Sequence, residues 1–151
     1  MKLAVALQER ADLNKKIADL RSRLQHAILV QEGEEPAEDP AKLIKELENC
    51  IRRLEYLMVA INRTNSQTAV NGKTLTELIA KKDTTLLKIS AYRDLAYESS
   101  RNTQRARNTD IKVLSVLRAA DLQKKVDAYA KELREIDNLL QETNWTCDLI
   151  E

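Results

Sequence analysis

The sequence has no phenylalanine, two glycines, two prolines, two cysteines and one histidine. Each scarcity closes off a class of chemistry. With glycine only at positions 33 and 72, no GxGxxG, Walker lysine loop or GxSxG elbow can be written. His26 alone, with arginine at position 23, cannot supply the paired Glu-x-x-His motifs of a di-iron bundle. One histidine and two distant cysteines also cannot make a zinc cluster. No cofactor, metal or catalytic residue is therefore expected. Cys50 and Cys147 match no CxxC spacing and read as reduced thiols of a cytoplasmic protein. The apolar run in "MKLAVALQER" is only Leu3 to Leu7, too short for a secretory signal. No stretch approaches the ~18 apolar residues of a membrane span. Charge of one sign is also missing. Lys and Arg number 25 against 24 Asp and Glu, so no global field draws the chain to nucleic acid or anionic lipid.

What is abundant is Leu, Ile, Val and Ala at helical spacing. Leu3, Ala6, Arg10, Leu13, Ile17, Leu20, Leu24 and Ala27 alternate steps of three and four and predict a helix over 2–31 with a coiled-coil seam. "QEGEEPAEDP" is an acidic loop that ends with Asp39 as N-cap and Pro40 as first helical residue. Helix two is predicted from 40 to about 65 on Leu43, Leu47, Cys50, Leu54, Leu57 and Ile61. Its second stripe, Ile44, Ile51 and Met58, is expected to widen the core face. Asn71-Gly72 signals a turn, and Thr74 with Glu77 a capping box opening helix three, about 74–99. Its expected seam is Leu75, Ile79, Lys82, Leu86, Ile89, Arg93 and Ala96. Helix four follows over about 120–144 on Leu122, Val126, Tyr129, Leu133, Ile136 and Leu140, with Trp145 as an anchor just past its end. "IKVLSVL", 111–117, is β-prone and predicts a short extended segment. Its partner would be Thr68 to Val70 or a second subunit.

These elements define an all-α fold: one domain over 1–151, an elongated antiparallel four-helix coiled-coil-like bundle with a short β segment near 111–117. Two stretches are candidates for binding. The first is the polar run Asn62 to Thr68 inside "INRTNSQTAVNGKT", a helix end and turn. Asn62, Arg63 and Asn65, joined by Arg93 or Arg101, could hold a small anion. The second is basic. Arg101, Arg105, Arg107, Lys112 and Arg118 face only Asp110, a local charge of +4 that could meet phosphates, though without interleaved aromatics.

"INRTNSQTAVNGKTLTELIAKKD" (61–83) and "LQKKVDAYAKELREIDNLLQETNW" (122–145) resemble the signature blocks of small bacterial proteins called septicolysin-like. That resemblance implies a soluble helical protein and, by its label, a cytolysin; it assigns no catalytic residue. The polar faces of these helices are evenly mixed in charge, unlike those of a lipid-binding amphipathic helix. The expected function is a structural or interaction module that homo-oligomerises. Polar seam residues Arg10, Lys82 and Arg93 would set register and partner. The alternative is a nucleic-acid or small-anion binder using 101–118 with 62–68.

Overall fold

A computed structural model describes residues 1–101 and 106–151. It contains helices α1 (Leu3–Ala27), α2 (Pro40–Gln67), α3 (Leu75–Ser100) and α4 (Ala119–Thr146). The strands β1 (Ala69–Val70) and β2 (Lys73–Thr74) lie between α2 and α3. The fold is all-α, with bundle-like helix packing. It divides into two compact units: Met1–Thr74 with Thr143–Glu151, and Leu75–Glu142.

In the first unit α1 and α2 pack antiparallel. Leu20 and Ala27 of α1 meet Leu43 and Cys50 of α2, with Leu13, Ile17, Leu24 and Leu47 packed around them. Cross-helix ion pairs Glu9–Arg53 and Lys16–Glu46, continued by Arg23 with Glu38 of the loop before α2, keep a constant register along one edge. Asp39 caps α2, its carboxylate accepting from the Ala41 N–H at 3.0 Å with Pro40 in the first turn. Helix α1 stops at Ala27 rather than running to 31. The Ile28 N–H still bonds to the Leu24 carbonyl, but Ile28, Leu29 and Val30 are exposed. Beyond Ala27 and Leu43 the seam has no further apolar partner, so another turn would bury nothing.

The turn signal lies where Asn71-Gly72 placed it. Val70 pairs with Lys73 and Ala69 with Thr74, and Asn71 and Gly72 both have positive φ, 53° and 77°, as a type I′ hairpin requires. Thr68 to Val70 therefore pairs with its own next residues and not with 111–117. Among the described residues this hairpin is the only sheet. In 111–117 only Lys112 has bridge character, Ser115 folds back to bond with Leu117, and Val116 is 98% exposed.

In the second unit α3 and α4 are antiparallel, tied by Lys81–Glu132 and Lys82–Asp137. Helix α4 buries Leu122, Val126, Ile136 and Leu140 as its spacing predicted. Helix α3 is rotated by one row from its expected seam. It buries Leu75, Leu78, Thr85 and Ile89, while Ile79 and Leu86 are exposed. Apolar spacing on α3 fits two adjacent rows nearly equally, so pairing with α4 decided between them. The rotation turns Arg93 out of the seam and into solvent. Trp145 is the other displaced residue. It lies inside the last turn of α4 and is 60% exposed, not an anchor.

Candidate functional site

The polar stretch at the end of α2 has one structural member. Thr64 is fully buried, and its hydroxyl donates to the Ala60 carbonyl at 2.8 Å and accepts from the Ile150 N–H at 2.8 Å. It holds the last residues of the chain beside the first. The Leu3 N–H, left over at the start of α1, donates to the Cys147 carbonyl at 3.1 Å, and the Leu149 N–H donates to Met1 at 2.7 Å. The Lys2 ammonium donates to the Thr146 carbonyl and to Asp148, at 2.9 and 3.1 Å. This strap brings together residues more than 140 positions apart, and no local sequence signal could have revealed it. Burial raises the Cys147 thiol pKa. Asn62 and Arg63 are exposed on α2, and Asn65 is half-buried.

The basic candidates belong to the second unit. Arg93, Arg101 and Arg107 are exposed; Arg105 lies outside the described residues. Arg101 pairs with Glu98 at 3.2 Å and stands 6.0 Å from the Tyr97 ring centre. The structure thus places Asn62, Arg63 and Asn65 in one unit and Arg93, Arg101 and Arg107 in the other. No group of three or more His, Cys, Asp or Glu that could hold a metal occurs among the described residues. His26 is exposed, with Nδ1 2.8 Å from the Ser22 carbonyl. Among the described residues no helix is long and apolar enough to cross a membrane.

The first hairpin has two unlike edges. Around α2 the rows seven residues apart run in order: Glu46 and Arg53, then Leu43, Cys50 and Leu57, then Leu47, Leu54 and Ile61, then Ile44, Ile51 and Met58. The first row makes the ion pairs with α1. The next two rows form the core. The last should have widened it, yet Ile44, Ile51 and Met58 are 46%, 48% and 49% exposed. On α1 the matching order is Glu9, Lys16 and Arg23, then the buried seam, then Leu3, Arg10, Ile17 and Leu24. The Arg10–Ile17–Leu24 row is half-buried and borders the same open side as Ile44, Ile51 and Met58. One edge is closed by charge; the other is an open apolar strip about 21 Å long, from Ile44 to Met58 at ~1.5 Å per residue.

Charges on the closed edge are paired. The Arg53 guanidinium, bonded at 2.7 and 2.9 Å, holds the Glu9 carboxyl below its ordinary range. Arg23 does the same for Glu38 and Lys16 for Glu46. The open edge has no such pairing. Arg10, Glu48 and Glu55, which flank it, make no ion pair among the described residues.

A model of a family of unknown function, DUF6847, matches residues 10–149. A crystal structure of a functionally unknown conserved protein from Corynebacterium diphtheriae is 37% identical, covers 99% of each chain and superposes with a TM-score of 0.88. No curated protein matches. The family match overturns the septicolysin-like resemblance. Both blocks that carried it, 61–83 and 122–145, fall inside the matched span. They are amphipathic-helix and turn patterns, which many unrelated bundles share.

Proposed function

We propose, for a chain that belongs to the family of unknown function DUF6847, that its basic activity is association with a second copy of itself. The observation that carries this is the half-exposed heptad row Ile44–Ile51–Met58 beside the half-buried row of α1. A helix row left this open costs the hydrophobic stabilisation that a facing surface would restore, ~25 cal/mol per Å². A second copy fits the rim. Arg10 stands on the α1 side of the strip and Glu48 and Glu55 in the row beyond it on α2, so both signs are present, as a self-complementary two-fold contact needs. A strongly acidic or basic partner would leave some of these charges opposed. A chain near electrical neutrality adds no repulsion between copies. Arg10 then serves as the polar residue that sets partner and register.

The family match over 10–149 supports reading 1–151 as one inherited domain. The two free thiols, Cys50 buried and Cys147 half-buried, fit a reducing, cytoplasmic setting. The reading assigns no reaction.

The test is native mass by light scattering at low and high salt, on the wild type and on Ile51→Glu. A dimer or larger species that persists at high salt, and becomes monomeric in Ile51→Glu with unchanged circular dichroism, is the expected result. A wild-type monomer at ~100 µM, where even a ~10 µM dimer would form, overturns the proposal.

A further inference from the structure

The second unit ends in an apolar tip. Helices α3 and α4 are antiparallel, so the segment joining Ser100 to Ala119 lies at one end of the pair. Every residue from Arg107 to Arg118 is exposed. Five of these are large and aliphatic: Ile111, Val113, Leu114, Val116 and Leu117. Leu114 is 70% exposed and Val116 98%. The Ser115 hydroxyl donates to the Leu117 carbonyl at 2.7 Å and accepts from the Leu117 N–H at 3.2 Å, a bend with Val116 at its apex. Leu95 of α3 shares a recess with Val113 to Leu117, so the apolar surface continues onto the helix.

The tip is also basic although the chain is neutral. Residues 106–118 contain Arg107, Lys112 and Arg118 against Asp110 alone. Arg107 and Lys112 make no ion pair among the described residues, and Arg118 reaches only Asp121, at 3.9 Å. Cations farther along the helix pair are engaged. The Tyr92 and Tyr129 ring centres are 5.5 Å apart, with Lys88 5.2 Å from the second and Lys125 6.0 Å from the first.

We propose that the 107–118 tip docks on an anionic lipid bilayer. Leu114, Val116 and Leu117 enter the boundary between headgroups and acyl chains, and Arg107, Lys112 and Arg118 meet lipid phosphates. Three features select that partner. Apolar side chains this exposed at an apex gain by leaving water, and the interfacial layer of a bilayer takes them without a shaped pocket. The pull of an anionic leaflet on Lys and Arg falls off within a Debye length, and here the cations stand in the same short segment as the apolar side chains. Residues 106–118 contain no aromatic ring, so an unpaired base has nothing to stack on. Two copies of the tip brought face to face would oppose three cations with three.

The experiment is vesicle flotation of the full chain at ~100 mM salt, with phosphatidylcholine vesicles holding ~30% phosphatidylserine or none. The two net positive charges of the tip predict binding roughly 30-fold weaker to vesicles without phosphatidylserine, about 5-fold per charge. Arg107→Ala with Lys112→Ala should cost about the same factor on the anionic vesicles. Leu114→Asn with Val116→Asn should weaken binding by roughly 30-fold or more while keeping the preference for phosphatidylserine. In Val116→Trp the indole emission should shift to the blue on anionic vesicles, beyond any change seen with the wild type. All these side chains are exposed, so melting temperatures should stay near wild type. Absence of binding to the anionic vesicles overturns the proposal. So does binding that Leu114→Asn with Val116→Asn leaves intact, since charge alone would then hold the chain. A lower native mass in that variant without lipid would also overturn it, because the tip would then be a contact between copies. Wild-type oligomeric state is read separately, so a monomer that binds anionic vesicles keeps this inference and removes only self-association.

Discussion

Replacing Thr64 by valine removes one hydroxyl and almost no volume. That hydroxyl donates to Ala60 and accepts from Ile150, and Thr64 is fully buried. The Ala60 carbonyl can lose it at little cost because it lies within the α2 hydrogen-bond ladder. The Ile150 N–H has no other protein partner among the described residues and would be left unpaired beside a methyl group. An unsatisfied buried donor costs about 1–3 kcal/mol, and Ile150 is half-buried, so water recovers part of this. The expected destabilisation is about 1–2 kcal/mol, a fall of roughly 3–6 °C in melting temperature for a chain of this size. Thr and Val are similar in shape but not interchangeable, because the hydroxyl is the difference that matters. Hydrogen exchange locates the effect: the Ile150 amide should lose protection in Thr64→Val and keep it in Thr64→Ser. A Thr64→Val protein with wild-type melting and wild-type protection at Ile150 would show that the strap does not depend on Thr64.

Two further predictions test the hairpin turn and the charged edge. Gly72 has φ +77° and no atom within 4 Å of an added Cβ, so Gly72→Ala should cost about 1 kcal/mol, all of it conformational; a neutral result in urea unfolding refutes the type I′ reading. Glu9, Glu38 and Glu46 have lowered pKa values through Arg53, Arg23 and Lys16, so the folded state favours their charged forms. Their contribution is present above the unfolded value near 4.5 and is lost as pH falls through the lower folded values. The urea midpoint should be level from pH 8 to 5 and drop below about 4.5, and Glu9→Gln should soften the drop. A midpoint that rises on acidification would contradict the pairing.

By itself the sequence determined the elements. Seam spacing placed all four helices, Asp39-Pro40 the start of α2, and Asn71-Gly72 the hairpin, because periodicity and cap and turn chemistry act within a few residues of chain. It also identified the two polar and basic regions by composition. Only the tertiary structure decided which rows are buried. On α3, Leu78 and Thr85 displaced Ile79 and Leu86, a choice between adjacent rows that only the fit to α4 settles. On α2, Ile44, Ile51 and Met58 had core spacing but lie outside the contact with α1 and stay about half exposed. The Thr64 strap, the three ion pairs along one hairpin edge and the lysine–tyrosine cluster on α3 and α4 join residues far apart in sequence. Local pattern carries no information on such pairs, because they exist only once antiparallel packing has fixed which turn of one helix lies beside which turn of the other.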